Sequence, residues 1–206
     1  MTPTTDLSFI HRFVPATEES APPLLLLHGT GGNEDDLLPL GRMISPGSAL
    51  LSPRGKVLEG GMPRFFRRLA EGVFDEEDVR RRALELADFV AEAQEAYGLP
   101  APIALGFSNG ANIAAAMLQL RPQSLAGAIL LRAMVPLQDA PASNLEGLPV
   151  LIVSGAVDPI IPAENAERLA ASLAANGALV QHRILPVGHG LSQADITLAQ
   201  TWIKQL

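Results

Sequence analysis

The stretch that most restricts how this chain can fold is Ile103-Ala104-Leu105-Gly106-Phe107-Ser108-Asn109-Gly110-Ala111-Asn112. An apolar run leads into Gly-Phe-Ser-Asn-Gly, and a small-residue run of helical character follows as far as Arg121-Pro122. The pattern G-x-S-x-G reads as a strand, a very tight turn and a helix, with the central Ser in a strained backbone conformation. Gly106 and Gly110 are expected because side chains there would collide across the turn. Such a turn holds the Ser108 hydroxyl at the strand end, where the helix also aims its first N–H groups. Ser108 is therefore a candidate nucleophile, and the plainer alternative is a helix N-cap.

The rest of the chain repeats the alternation of strand and helix. Residues 9–14 read as an edge strand ended by Pro15. Leu24–Leu27 is continuously apolar, as in a strand buried on both faces. It runs into His28-Gly29-Thr30-Gly31-Gly32-Asn33, whose glycines allow the backbone to turn its N–H groups towards a ligand. Asn33 is expected to cap a short helix through Leu40. A short strand follows at 49–52. Residues 56–74 show no clean period and are expected to be an irregular insertion. Their pair Arg67-Arg68 reads as a solvated or structural ion-pair site rather than a substrate clamp.

Residues 75–97 are the clearest helix, capped by Asp75 and stopped by Gly98 and Pro100. Further strands are expected at 125–131, 149–154 and 179–185, and further helices at 162–176 and 192–206. Mostly apolar strands alternating with helices imply one domain over 1–206, with a mostly parallel sheet covered on both faces.

Composition excludes several functions. The net charge of −7 disfavours nucleic acid and anionic membranes as partners. There are no cysteines, which removes disulfides, thiolate metal ligands and a Cys nucleophile. The four histidines show no metal-ligand spacing, so no metal or other cofactor is expected and activity should survive a chelator. Residues 1–15 lack a basic patch followed by an apolar run, so no signal peptide is expected. No stretch approaches the ~20 apolar residues of a membrane span. A soluble cytoplasmic protein, monomeric or homodimeric, is the expectation.

In a sheet of this kind, catalytic residues gather at the carboxyl ends of strands. Ser108, Asp158 and His189 all follow strands, in the order Ser, Asp, His. A Ser hydroxyl needs a base to become a nucleophile, an imidazole can serve as that base, and a carboxylate fixes the imidazole tautomer. Pro159 biases Asp158 to extended backbone. Among the other histidines, His11 has no evident partner, His182 falls inside the last strand, and His28 suits bracing the glycine loop. Asp139 also follows a strand and is the competing acid. Asp195 lies beyond His189 and breaks the order. The oxyanion would be held by the backbone N–H of Asn109 and an N–H from the early loop at Thr30.

Taken together, Leu27-His28-Gly29-Thr30-Gly31-Gly32-Asn33, Gly106-Phe107-Ser108-Asn109-Gly110-Ala111, Gly155-Ala156-Val157-Asp158-Pro159-Ile160-Ile161-Pro162 and Gly188-His189-Gly190 resemble the phospholipase/carboxylesterase family of α/β-hydrolases. That family also contains acyl-protein thioesterases. The resemblance covers nearly the whole chain. It implies an α/β-hydrolase fold with little or no cap domain, a Ser108–Asp158–His189 triad and an oxyanion hole from Thr30 and Asn109. Many members carry Gln after the nucleophile, where this chain has Asn109. It looks more like the bacterial carboxylesterases of the family. The expected activity is hydrolysis of small soluble carboxylic esters through an acyl-enzyme. The alternatives are an acyl-protein thioesterase or lysophospholipase-type hydrolase, and a non-catalytic binding protein of the same fold. Phe65, Phe66, Met134 and Leu137 are candidate substrate-binding residues, although core packing is the better reading for each.

Overall fold

The computed structural model describes residues 7–206. Its centre is a seven-stranded sheet in the order β1-β3-β2-β8-β9-β10-β11. Strand β1 (His11–Val14) lies antiparallel to β3 (Leu50–Pro53) at one edge. The other pairings are parallel: β3 with β2 (Leu24–Leu27), then β8 (Ile103–Phe107), β9 (Gly127–Leu131), β10 (Pro149–Gly155) and β11 (Leu179–Leu185). Strand β2 shows why its apolar run is unbroken. Leu25 and Leu27 enter a cluster with α2 (Glu76–Tyr97), α3 (Asn109–Leu120) and α4 (Ala163–Ala175). Leu24 and Leu26 enter the opposite cluster with α1 (Leu38–Ile44) and α5 (Gln193–Ile203). Successive side chains point to opposite faces, so a strand covered on both sides must be apolar throughout.

Helix α2 begins and ends as its sequence predicts. Asp75 caps it by accepting from the Asp78 N–H, and Gly98 closes it in the left-handed conformation with φ 67°. The first helix departs from expectation. Asn33 does not cap it, because its side chain accepts from the Asp35 N–H in a local turn. The helix starts only at Leu38, beside Pro39, whose fixed φ suits a first turn.

The stretch 56–74 is also more regular than its sequence suggests. It folds into two small hairpins, β4 (Val57–Glu59) with β5 (Met62–Arg64), and β6 (Arg68–Ala70) with β7 (Val73–Phe74). Gly60 and Gly61 turn the first, both with positive φ, as a tight two-residue hairpin requires. Strands of two or three residues are too short for a two-residue period to be read from sequence.

The glycines of the central turn have unequal duties. A Cβ at Gly106 would lie 2.6 Å from the Ala111 N and the Gly110 O, across the turn as expected. A Cβ at Gly110 would instead collide with the Leu27 carbonyl on the adjacent strand. Helix α3 thus sits directly on β2. Gly110→Ala is expected to cost about 1–3 kcal/mol or more by overpacking against rigid backbone. A thermal melt unchanged from the parent would refute this account of the contact.

Candidate active site

Ser108 stands between β8 and α3 with φ 52° and ψ −115°, one of two non-glycine residues with positive φ among those described. Its backbone N–H donates to the Leu131 carbonyl, 2.9 Å away, which ties the turn to the end of β9. Its side chain makes no capping bond to α3. The Ser108 hydroxyl instead meets the His189 Nε2 at 3.0 Å.

The loops after β10 and β11 bring the other two residues to this point. His189 Nδ1 lies 2.8 Å from Asp158 Oδ2. The second oxygen, Asp158 Oδ1, accepts the backbone N–H groups of Ile160 at 2.8 Å and Ile161 at 3.1 Å. The Asp158 side chain is 1% exposed and the His189 side chain 20%. A buried carboxylate therefore faces one ring nitrogen, and a half-open hydroxyl faces the other. The two loops approach closely at Gly155, where a Cβ would collide with the Val187 carbonyl. Asp139, the competing acid, is exposed, and its carbonyl accepts from Arg80, whereas the carboxylate that meets His189 is that of Asp158.

The early glycine loop and the first hairpin meet beside Ser108. The Gly31 N–H donates to the Pro63 carbonyl at 2.9 Å. Arg64 Nη1 donates to the Thr30 hydroxyl at 2.8 Å. The Phe65 N–H donates to Asn109 Oδ1 at 2.7 Å. Residues 63–65 thus join the two segments expected to supply oxyanion donors. The Asn109 N–H opens α3 and has no partner within the helix. Arg64 was not singled out by sequence, since its neighbours Arg67 and Arg68 look much the same. Yet it is buried at 3% exposure, with Glu59 at 3.3 Å, while Arg67 and Arg68 pair with Asp75 and Glu59. Burial pushes the Arg64 pKa down, although Glu59 partly offsets it.

A cleft of about 260 Å³ opens above Ser108 and His189. Met134 lines it, together with Phe74, Phe107, Ile160 and Ile161. Asn112 helps to place Met134, because its Oδ1 accepts the Met134 N–H at 2.7 Å. Phe65, Phe66 and Leu137, the other three candidates for substrate contact, are corrected to the core. They are buried, and none borders the cleft. Phe66 packs edge-on against Phe74, and Phe65 against the His28 ring. Their rings contribute more by displacing water inside than by standing in the cleft.

The remaining histidines brace the fold. His11 has a partner after all: its Nε2 lies 2.7 Å from the Tyr97 hydroxyl. His182 Nε2 lies 2.8 Å from the Ser154 hydroxyl. His28 Nε2 accepts the Gly55 N–H at 3.0 Å, so its Nδ1 carries the proton, donated to the Gly29 carbonyl at 2.7 Å. This neutral ring is buried, and burial holds its pKa below the ordinary 6.5. A depressed histidine pKa means that the unfolded chain takes up the proton first as pH falls. Stability from His28 is full above 6.5 and is lost below it. His182 is shifted the same way by burial and acts in the same window. Melting of the parent should therefore fall as the pH drops from about 7.5 to about 5. His28→Gln should melt lower near neutrality and show a shallower fall. An equally steep fall in the variant would remove His28 from the account.

No helix among the described residues is long and apolar enough to cross a membrane. No three His, Cys, Asp or Glu side chains among them are grouped to hold a metal ion.

Comparison with known proteins agrees with this architecture. The phospholipase/carboxylesterase family model matches residues 10–206. A carboxylesterase of Bacillus cereus is 44% identical, with a TM-score of 0.95, over 97% of this chain and 95% of that one. A carboxylesterase of Mesorhizobium loti is 34% identical, with a TM-score of 0.92, over 98% and 97%. MhqD of Bacillus subtilis is 49% identical over 184 residues, 88% of this chain and 92% of its own. With the α/β-hydrolase sheet, the family match across the chain and these relatives in view, the chain belongs to the phospholipase/carboxylesterase family and is an ester-hydrolysing enzyme.

Proposed function

We propose that this enzyme hydrolyses small, soluble carboxylic esters through an acyl-enzyme formed on Ser108. The observation that carries this reading is the unbroken line from Asp158 Oδ2 to His189 to Ser108 Oγ, with distances of 2.8 and 3.0 Å. His189 Nε2 takes the Ser108 proton as Oγ attacks the ester carbonyl. The oxyanion is received by the N–H groups of Thr30 and Asn109, each worth about 3 kcal/mol by analogy with other oxyanion donors. His189 then gives its proton to the leaving alcohol as the ester C–O bond breaks. A water attacks the acyl-enzyme by the same route, His189 again serving first as base and then as acid. Asp158 remains ionised and keeps the ring proton on Nδ1.

The side chain of Asn109 supports the hole from behind. Its carbonyl oxygen is fixed by the Phe65 N–H, so the backbone of the first helical residue is held against the hairpin. This leaves the backbone donor intact where other family members carry Gln.

The cleft is small, just under the ~300–1,000 Å³ of typical ligand pockets, which favours short acyl groups. A panel of p-nitrophenyl esters of graded chain length tests this. Turnover should be highest for short chains and rise smoothly with concentration. The exposed Leu58, Leu69 and Val73 on the hairpins favour a second reading, an interfacial lipase-like enzyme. A sharp rise in rate once substrate exceeds its solubility would replace the first reading with the second. Matched oxygen and thiol esters separate esterase from thioesterase.

A further inference from the structure

Arg132 heads the largest fully buried side chains, at 1% exposure. It follows β9 with φ 58°, a left-handed conformation that costs a non-glycine residue energy unless its surroundings hold it. Its backbone N–H donates to the Val153 carbonyl at 2.9 Å. All five guanidinium N–H donors then find acceptors. Nε donates to the Gly188 carbonyl at 3.0 Å, and Nη2 to the Gly190 carbonyl at 3.1 Å. Nη1 donates to the Val153 carbonyl at 3.2 Å. Nη1 and Nη2 grip the Asp195 carboxylate as a fork, at 2.7 and 3.0 Å. Asp195 also accepts the backbone N–H and the hydroxyl of Ser192, both at 2.7 Å.

Two of these acceptors are the carbonyls on either side of His189. The base loop leaves an edge strand, contains no regular element, and has glycine at both positions flanking the histidine. Such a segment samples many conformations unless tied down. The ring itself is held by Asp158 and Ser108, with Phe107 at 5.4 Å between ring centres. The backbone beneath it is held by Arg132.

We propose that Arg132, anchored by Asp195, is a positioning residue for His189. It fixes the two carbonyls flanking the histidine and so sets the approach of Nε2 to Ser108. Asp195 neutralises the buried guanidinium and orients its fork, so the carboxylate that breaks the triad order has its own task. The proposal rests on the triad reading above. It matters for rate because misplacing a catalytic group by about 1 Å can cost roughly 100-fold.

The test separates turnover from the number of working sites. Parent and variants are titrated to completion with a fluorophosphonate, and kcat and KM for p-nitrophenyl acetate are expressed per titrated site. Arg132→Lys keeps a charge for Asp195, but one ammonium cannot reach both carbonyls and the carboxylate together. It should lower kcat per site by roughly 10- to 100-fold, with KM within about twofold of the parent. The double variant Arg132→Met/Asp195→Leu removes both charges, a replacement that buried ion pairs often tolerate. It should fold, as judged by its melt, and show an equal or larger loss in kcat. Turnover per site within about twofold of the parent in either folded variant would overturn the proposal. So would loss of fold in both, which would make the pair a folding element alone. A parent that fails to take up one equivalent of label at Ser108 would instead defeat the triad reading itself.

Discussion

Ser108→Ala is expected to lower ester turnover by roughly 10⁴-fold or more while leaving the fold intact. In the proposed mechanism the loss is large because Oγ is the atom that becomes acylated, and no neighbouring group replaces it. The cysteine-free chain offers no thiol, and among the described residues the Ser108 side chain hydrogen-bonds only to His189. The fold should not suffer, because the hydroxyl does not cap α3 and the turn is held through the backbone N–H to Leu131. Alanine tolerates positive φ no better than serine, so the strain is unchanged. Measuring kcat with p-nitrophenyl acetate beside a thermal melt checks both halves. A normally melting variant that keeps more than a tenth of the activity would remove Ser108 from the mechanism.

The second large effect concerns the acid. Asp158→Asn is expected to reduce turnover by about 10⁴-fold, whereas Asp139→Asn should change it by less than about twofold. The amide oxygen of Asn can still accept the Ile160 and Ile161 N–H groups that Asp158 Oδ1 now accepts. Its NH₂ then faces His189 Nδ1, where it can only donate. The ring must place its proton on Nε2, the nitrogen that faces Ser108 and acts as the base in the proposed mechanism. The variant should therefore fold but hold the wrong tautomer. Asp139 is exposed, and its carbonyl, which the substitution keeps, accepts from Arg80. Reversed results would exchange the two residues in the mechanism.

Much of this protein was decided by local sequence. Continuous apolar runs dictate strands covered on both sides, and the G-x-S-x-G turn dictates where a hydroxyl is presented. The placing of Ser108, Asp158 and His189 after parallel strands dictates that they share one end of the sheet, because parallel strands all finish on the same side. The first two are short-range rules, in which a residue's neighbours in the chain are also its neighbours in space, and the third needs only that the strands run parallel.

Contacts between distant segments follow from the three-dimensional packing and from no local rule. Residues 56–74 lacked a readable period, yet their hairpin bonds both the glycine loop and Asn109, 44 positions beyond Phe65. Phe65, Phe66 and Leu137 could not be sorted from Met134, since an apolar side chain looks the same facing a cleft or a core. Asp195 is an acid out of order in the sequence, and in the fold it pairs with Arg132, 63 residues earlier. A buried charge must be paired with another wherever the fold brings one near, and no spacing along the chain records which one that is.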